Sequence, residues 1–295
     1  MNGQGKLLTH FLKNADKLVI PVYQRNYDWK EEHCKKLYSD LVKTIRDNKR
    51  WHFFGGIVSV SDPMGSSSDY LVIDGQQRIT TVSLLLLAIA NLIKASLVTP
   101  NDPNLYDVIT KKYLVDEINP KQRKMKLKPI KGDQDAYDRL WGDSSEYNFN
   151  SRITQNYLFF YNQIQREEIS VDQLFAAVEK LQIIDITLTP PDDDPQLVFE
   201  SLNSTGLDLN EGDKIRNFVL MRRSIEEQEQ FYDNYWSPIE KNAGYDKQTN
   251  SYDVSPFIRD YLGIKERRLT AMKEIYQEFK DYVEKRGQIE EVLKE

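Results

Sequence analysis

The sequence predicts an α+β fold with a large helical part. Stretches rich in β-branched and aromatic residues indicate strands, and the clearest of them are 53–60, 70–73 and 181–188. The segment from Thr80 to Leu97 carries Leu, Ile and Ala on nearly every side, which predicts a buried helix. Most of the remaining sequence has the texture of amphipathic helices.

The first part of the chain contains the segments expected to form the centre of the domain. Leu18 to Tyr23 is expected to be extended, because Pro21 disfavours a helix for the residue before it. Apolar residues at intervals of four over 37–45 predict an amphipathic helix. A glycine-containing strand over 53–60 and a surface turn over 62–69 follow, and the strand 70–73 then leads through a short turn into the apolar helix.

The later part of the chain is expected to be mostly helical. After the strand 181–188, a short helix is predicted over 196–202, and Asn210 is expected to cap a helix that runs to about Arg223. We therefore predict a core built from 1–97 and 181–224, a mainly helical insertion over 98–180, and a helical segment over 225–295 that begins a further domain.

Composition narrows the classes of function. The 295 residues are 40% hydrophobic and 29% charged, with a formal net charge of -6, so a packed protein is expected without a general attraction to nucleic acid. Any DNA contact must come from a local patch. One cysteine and three histidines leave little material for a zinc site. The chain opens without a signal-peptide pattern, and its longest apolar run is about half the roughly 20 residues that cross a bilayer. A cytoplasmic protein without a membrane contact is expected.

The segment Asp74-Gly-Gln-Gln-Arg78 lies between a predicted strand and a predicted helix. The backbone N–H groups of the first helical turn then face whatever lies before the helix, which favours an anion. Gly75 allows close backbone approach, Gln76 and Gln77 can donate hydrogen bonds, and Arg78 offers a planar fork for phosphate oxygens. A nucleoside triphosphate fits these groups better than a neutral ligand does.

Three further side chains extend this candidate site. Asp74, at the carboxyl end of the strand, could hold a magnesium ion or orient a water, while Thr80 and Thr81 add hydroxyls to the first helical turn. The structural alternative is an ordinary turn in which Arg78 pairs with an acidic neighbour and a threonine caps the helix. The residues alone leave both interpretations open.

Four segments in this order resemble the N-terminal domain of GmrSD-type restriction endonucleases: Ile20-Pro-Val-Tyr-Gln-Arg-Asn-Tyr-Asp-Trp29, Phe54-Gly-Gly-Ile57, Ile73-Asp-Gly-Gln-Gln-Arg-Ile-Thr-Thr81 and Val198-Phe-Glu-Ser-Leu-Asn-Ser-Thr-Gly-Leu-Asp-Leu209. The resemblance implies a mixed-sheet core similar to ParB and sulfiredoxin, nucleoside-triphosphate hydrolysis, and restriction of phage DNA with modified bases or backbone. It also implies that Asp74, Gly75, Gln76, Gln77 and Arg78 form the nucleotide site. Within this site we predict that Asp74, Gln77 and Arg78 are the catalytic groups.

The companion segments supply further candidates. Gln24 and Arg25 could reach the nucleotide phosphates, and Tyr23 and Arg25 could contact DNA. Asn203 could complete the nucleotide site, or it could simply form a turn with its own backbone. The aromatic residues Tyr27 and Trp29 could stack on a base or belong to the core.

A basic stretch over 121–131 is the one concentration of positive charge. Lys124, Lys126 and Lys128 alternate with apolar residues as on a strand, so they could follow a DNA backbone. The alternative is a half-buried edge strand that its lysines protect from aggregation.

The histidines His10, His33 and His52 lack the spacing of a His-Asn-His nuclease motif. DNA cleavage is therefore expected from a nuclease domain elsewhere in a full-length chain or from a partner subunit, and a homo-oligomer is possible. The sequence leaves two functions open, a nucleoside triphosphatase and a nucleotide-switched or modified-DNA-binding module without turnover. Redox phosphotransfer would need a cysteine in the turn, whereas Cys34 lies in a predicted helix.

Overall fold

The computed structural model describes residues 2–61, 69–116, 124–166, 168–190, 192–203, 210–221, 223, 225–243, 245–246 and 251–295. The chain divides into two compact units. The first, which we call the sheet unit, holds Met1–Pro21 and Asn26–Asp193, and the second, the helical unit, holds Val22–Arg25 and Asp194–Glu295.

The sheet unit contains eight strands within the described residues. They are β1 (Asn2–Leu7), β2 (Lys17–Val19), β3 (His52–Ser61), β4 (Asp69–Asp74), β5 (Val115–Asp116), β6 (Lys124–Met125), β7 (Leu127–Lys128) and β8 (Leu181–Leu188). Six of them form one mixed sheet in the order β1-β8-β3-β4-β2-β7, while β5 and β6 pair separately. The predicted α+β class is confirmed.

The two longest strands, β3 and β8, lie next to each other in the interior of this sheet. β3 runs antiparallel to β4, with a register shift between Val58 and Ser59, and parallel to β8, with a register shift between Phe53 and Gly55. β1 pairs with β8 in the antiparallel sense along its whole length. The sequence does not predict β1, because this edge strand includes Gly3 and Gly5 and has no alternating apolar pattern. Its described side chains are largely exposed.

The helices of the sheet unit surround one long central helix. They are α1 (Leu8–Asn14), α2 (Glu31–Arg46), α3 (Gln76–Lys94), α4 (Leu105–Ile109), α5 (Lys131–Arg139), α6 (Arg152–Ile164) and α7 (Val171–Val178), with a π-helical turn over Thr110–Leu114 and a 3-10 turn over Ser144–Glu146. α3 packs against α4 and α6, and α2 packs against α6 and α7. By length and composition α3 could cross a membrane, but it lies mostly buried in this unit, as a core helix does.

The helical unit begins with α8. Its helices are α8 (Pro195–Asn203), α9 (Glu211–Leu220), α10 (Ile225–Phe231), α11 (Ser237–Asn242), α12 (Ser255–Glu266), α13 (Ile275–Arg286) and α14 (Ile289–Lys294), with a π-helical turn over Tyr232–Trp236, a 3-10 turn over Met272–Glu274 and the short strand pair β9 (Tyr245–Asp246) and β10 (Ser251–Tyr252). Asn210 caps α9 as predicted, since its side-chain oxygen accepts the N–H of Asp213 at 2.7 Å.

The two units divide the chain differently from the expected domains. The expected insertion 98–180 belongs to the sheet unit, because β7 pairs with β2 and α6 packs against α3. The boundary of the sheet unit falls after Asp193, so α8 and α9 group with the C-terminal helices.

Candidate functional site

The turn between β4 and α3 depends on a glycine. Gly75 has a φ of +93°, a left-handed conformation that side chains rarely adopt. A Cβ at this position would lie 3.1 Å from the carbonyl oxygen of Gly56 and 3.0 Å from Cγ1 of Ile57. The glycine therefore lets the start of α3 press against β3. Since the N-cap residue has no side-chain oxygen, no side-chain cap covers the first N–H groups of α3.

Arg78 lies across the glycine pair of β3. Its Nη1 donates a hydrogen bond to the carbonyl oxygen of Gly56 at 2.9 Å, and it lies 3.7 Å from the Asp74 carboxylate. Gly55 has a φ of +126°, and a Cβ there would come within 2.6 Å of the Arg78 Nε. The arginine side chain is 31% exposed and that of Asp74 is 49% exposed. Because Gly55 has no Cβ, the Arg78 side chain can lie against the backbone of β3, where its guanidinium stays accessible to solvent at the start of α3.

Gln77 points the other way. Its Oε1 accepts the backbone N–H groups of Asp28 at 2.9 Å and Trp29 at 3.2 Å, and its Nε2 donates to the carbonyl oxygen of Asn26 at 3.3 Å. The residue is buried. All of these partners lie in the segment 26–29, so Gln77 fastens this segment to α3.

A buried hydrogen-bond network continues behind Gln77. Thr81 donates to the carbonyl oxygen of Gln77 at 2.7 Å and accepts the hydroxyl of Tyr27 at 2.7 Å. Nδ2 of Asn156, on α6, donates to the Tyr27 hydroxyl oxygen at 3.0 Å and to the Trp29 carbonyl oxygen at 2.6 Å. Tyr27 is therefore a core residue that ties the segment 26–29 to two helices.

A third helix holds the same segment. Oδ2 of Asp133, in the first turn of α5, accepts the backbone N–H of Tyr27 at 2.6 Å. Burial raises the pKa of this carboxyl to about 6, and the hydrogen bond from Tyr27 opposes that rise. α3, α5 and α6 together fix where Trp29 lies.

A pocket of about 350 Å³ opens beside Arg78. We call it the α2–β3 pocket, and it is lined by Trp29, His33, Lys36, Leu37, Asp40, His52, Phe53, Phe54 and Arg78. Trp29 stacks on His33 with 5.4 Å between ring centroids and 18° between planes. Phe53 is 51% exposed. The pocket therefore combines aromatic faces with cationic side chains next to the start of α3.

The family model of the GmrSD restriction endonuclease N-terminal domain matches residues 8–220. The chain belongs to this family. It is thus part of a DNA restriction protein that acts in phage defence, as the resemblance of the four segments implied. No curated protein matches the sequence.

The predicted nucleotide-site residues of this GmrSD-family chain differ in their exposure to solvent. Asp74 and Arg78 reach solvent, whereas Gln76, Gln77, Thr80 and Thr81 are buried. The buried position of Gln77 and its bonds to the segment 26–29 differ from the expected phosphate contact. The Gln77 amide points into the protein because the backbone N–H and C=O groups of the segment 26–29 need hydrogen-bond partners there.

The predicted site residues Tyr23, Gln24 and Arg25 belong to the helical unit, whereas Tyr27 and Trp29 belong to the sheet unit. Tyr23 is buried with its ring edge-on to Phe199, and its carbonyl oxygen accepts a hydrogen bond from Nε of Arg216 at 3.0 Å. Gln24 is buried, while Arg25 is exposed. The expected DNA contact by Tyr23 therefore does not fit its packed position. The side chain of Asn203 lies outside the described residues.

The basic stretch holds its middle lysine inward. Nζ of Lys126 donates to the carbonyl oxygens of Leu12 at 3.2 Å and Lys13 at 3.0 Å, at the C-terminal end of α1. Lys126 is buried, and burial lowers its pKa. The expectation that Lys126 faces a DNA backbone is wrong, because this lysine satisfies the last carbonyls of a helix. Lys128 is half-buried, and the side chain of Lys124 lies outside the described residues.

The pocket residues of α2 and β3 were missed from sequence. His33, Lys36 and Asp40 lie on one face of α2, since they are three and four residues apart. This spacing could have indicated from sequence that the three polar side chains share a surface. Phe53 and Phe54 precede the glycine pair, but their exposure could not be known from strand alternation alone.

Within the described ranges, no group of three or more His, Cys, Asp or Glu side chains could hold an ion by itself. Mg²⁺ is commonly bound by one or two carboxylates together with substrate phosphates and waters. The exposed Asp74 carboxylate fits that arrangement.

Proposed function

We propose that this domain binds a nucleoside triphosphate in front of α3 and hydrolyses it to license DNA restriction. The observation that carries the proposal is the placement of Arg78, which is fixed on the glycine pair of β3 and lines the α2–β3 pocket at the first turn of a long helix.

The chemistry of this position suits phosphate. A guanidinium has five N–H donors, of which the bond to Gly56 occupies one. The N-terminal end of α3 adds the partial positive charge of a helix that spans Gln76–Lys94. Because Gly75 places no side-chain cap at this end of α3, phosphate oxygens would approach the positive end of the helix directly.

Asp74 is the proposed magnesium ligand. It would hold a hydrated Mg²⁺ against the phosphates, and such an ion supplies neutralisation of the phosphate charge. The ion pair with Arg78 at 3.7 Å is loose and partly exposed, so exchange of Asp74 from the arginine to a cation costs little.

Family membership connects this site to DNA. In the proposal, nucleotide turnover controls access to DNA that carries modified bases or a modified backbone, and a nuclease domain elsewhere in the full-length protein or in a partner cuts it.

Phosphate release from the four ribonucleoside triphosphates in Mg²⁺ tests the proposal. Arg78→Ala and Asp74→Asn should each reduce release at least about tenfold, as expected when a charge that contacts phosphate is lost. Arg139→Ala and Asp135→Asn are matched controls, because this pair has the same spacing of four residues on α5 and is exposed. Equal activity in all four variants and the wild type would refute the proposal.

A second candidate function is nucleotide binding without turnover. It is favoured by the position of Gln77, whose amide holds the segment 26–29 and so does not orient a water at the phosphates. Nucleotide-dependent DNA affinity without phosphate release would support this function.

A further inference from the structure

The α2–β3 pocket has two chemically different ends. At one end, Nε2 of His52 lies 3.9 Å from the Asp40 carboxylate, and no lysine or arginine among the described residues forms an ion pair with Asp40. At the other end, Arg78 lies over Gly55. The pocket therefore offers a carboxylate acceptor at one end and a guanidinium donor at the other.

The distance between the ends follows from the two elements that line the pocket. Three strand steps separate His52 from Gly55 along β3, which is at most about 10 Å at roughly 3.3 Å per residue, because a register shift between Phe53 and Gly55 shortens the strand there. Seven helical steps separate His33 from Asp40 along α2, which is again about 10 Å at roughly 1.5 Å per residue. A nucleoside monophosphate is of this length, so a base at Asp40 would place its phosphates near Arg78.

The side chains between the two ends are suited to a flat aromatic ligand. Phe53 is half-exposed and Trp29 is partly exposed, and both line the pocket. A base can stack on such faces whatever its identity. Stacking alone therefore gives affinity without selection among bases.

Selection would come from Asp40. An ionised carboxylate only accepts hydrogen bonds, and it accepts two parallel N–H donors well. Guanine presents its ring N1–H and its 2-amino group side by side. Adenine and cytosine place an unprotonated ring nitrogen next to the amino group, and uracil places carbonyls on both sides of its single N–H, so each sets an acceptor against the carboxylate.

We propose that the α2–β3 pocket binds the guanine base of the nucleotide, with Asp40 as the residue that selects it. This inference rests on the proposed function and adds the identity of the base. Asp40 acts by binding and takes no part in the transfer of the phosphoryl group.

A change of base preference tests the inference. Affinities of the full chain for GTP, ATP and xanthosine triphosphate are measured by calorimetry in Mg²⁺, for the wild type, Asp40→Asn and the control Asp47→Asn. Asn at position 40 donates to the 2-carbonyl of xanthine, so GTP affinity should fall at least about tenfold and xanthosine triphosphate affinity should rise. Asp47 is a suitable control because it is exposed, follows α2 and pairs with Lys49.

The outcomes separate the two proposals. Binding of all triphosphates with equal affinity, unchanged in Asp40→Asn, would overturn the guanine assignment while leaving the phosphate site intact. Binding of no triphosphate would overturn both. Phe53→Ala should weaken GTP and ATP binding together, whereas Phe149→Ala, which removes a similarly exposed ring away from the pocket, should change neither.

Discussion

Replacing Gln77 with alanine distinguishes a structural glutamine from a phosphate ligand. The side chain makes three hydrogen bonds to the backbone of the segment 26–29. Each such bond contributes about 1 kcal/mol, and water that enters the space left by the side chain replaces part of the loss. We expect the free energy of opening this segment to fall by about 2 kcal/mol, which corresponds to roughly thirtyfold faster opening to exchange.

Hydrogen exchange followed by mass spectrometry measures this change directly. Amides of Asp28 and Trp29 should exchange faster in Gln77→Ala, while those in the middle of α6 should keep their protection. Gln77→Glu retains an acceptor for both N–H groups and loses only the donor to Asn26, so its exchange should stay closer to the wild type.

The comparison of the two variants can contradict the structural role of Gln77. If Gln77 contacted phosphate, Gln77→Glu would weaken nucleotide binding more than Gln77→Ala, because it adds a negative charge beside the phosphates. Unchanged exchange in the segment 26–29 together with that order of affinities would refute the placement described above.

Three other substitutions probe neighbouring features. Gly55→Ala should abolish nucleotide binding and lower the free energy of unfolding by about 1–3 kcal/mol, because it strains the backbone and displaces Arg78. Gly56→Ala is the control in the same binding and urea-unfolding measurements, since its Cβ would meet nothing closer than 3.9 Å. Asp133→Asn should flatten the pH dependence of stability between pH 4 and 7. Because the pKa of Asp133 is raised to about 6, the free energy of unfolding of the wild type should fall by up to about 3 kcal/mol as pH rises through that value. Urea midpoints measured across this pH range would detect the difference. Lys126→Ala should lower the urea midpoint and leave the salt dependence of DNA binding unchanged, and a smaller salt slope would contradict the buried position.

Local sequence patterns predicted the part of the fold that they encode. The strand, glycine turn and apolar helix around Gly75 follow from residues that are neighbours in sequence, and so does the Asn210 cap. The pairing of β1 with β8 joins residues about 180 positions apart, and no local pattern specifies which distant strand an exposed edge will meet.

The sequence predicted only part of the candidate site, because some of its side chains are oriented by residues that are distant in sequence. The sequence shows that Arg78 follows a turn, but the direction of Gln77 depends on backbone groups of the segment 26–29, about 50 residues earlier. Likewise, Lys126 alternates with apolar residues as an exposed lysine would, and only the position of α1 shows that its ammonium caps a helix. Tertiary partners decided both orientations.

Calorimetric titration with a non-hydrolysable triphosphate tests the central claim, that Arg78 and the start of α3 form a nucleotide site. In Mg²⁺ the wild type should bind one nucleotide per chain, Arg78→Ala should bind at least about tenfold more weakly, and Arg139→Ala should match the wild type. Undetectable binding by the wild type, or equal affinities in all three proteins, would contradict the claim.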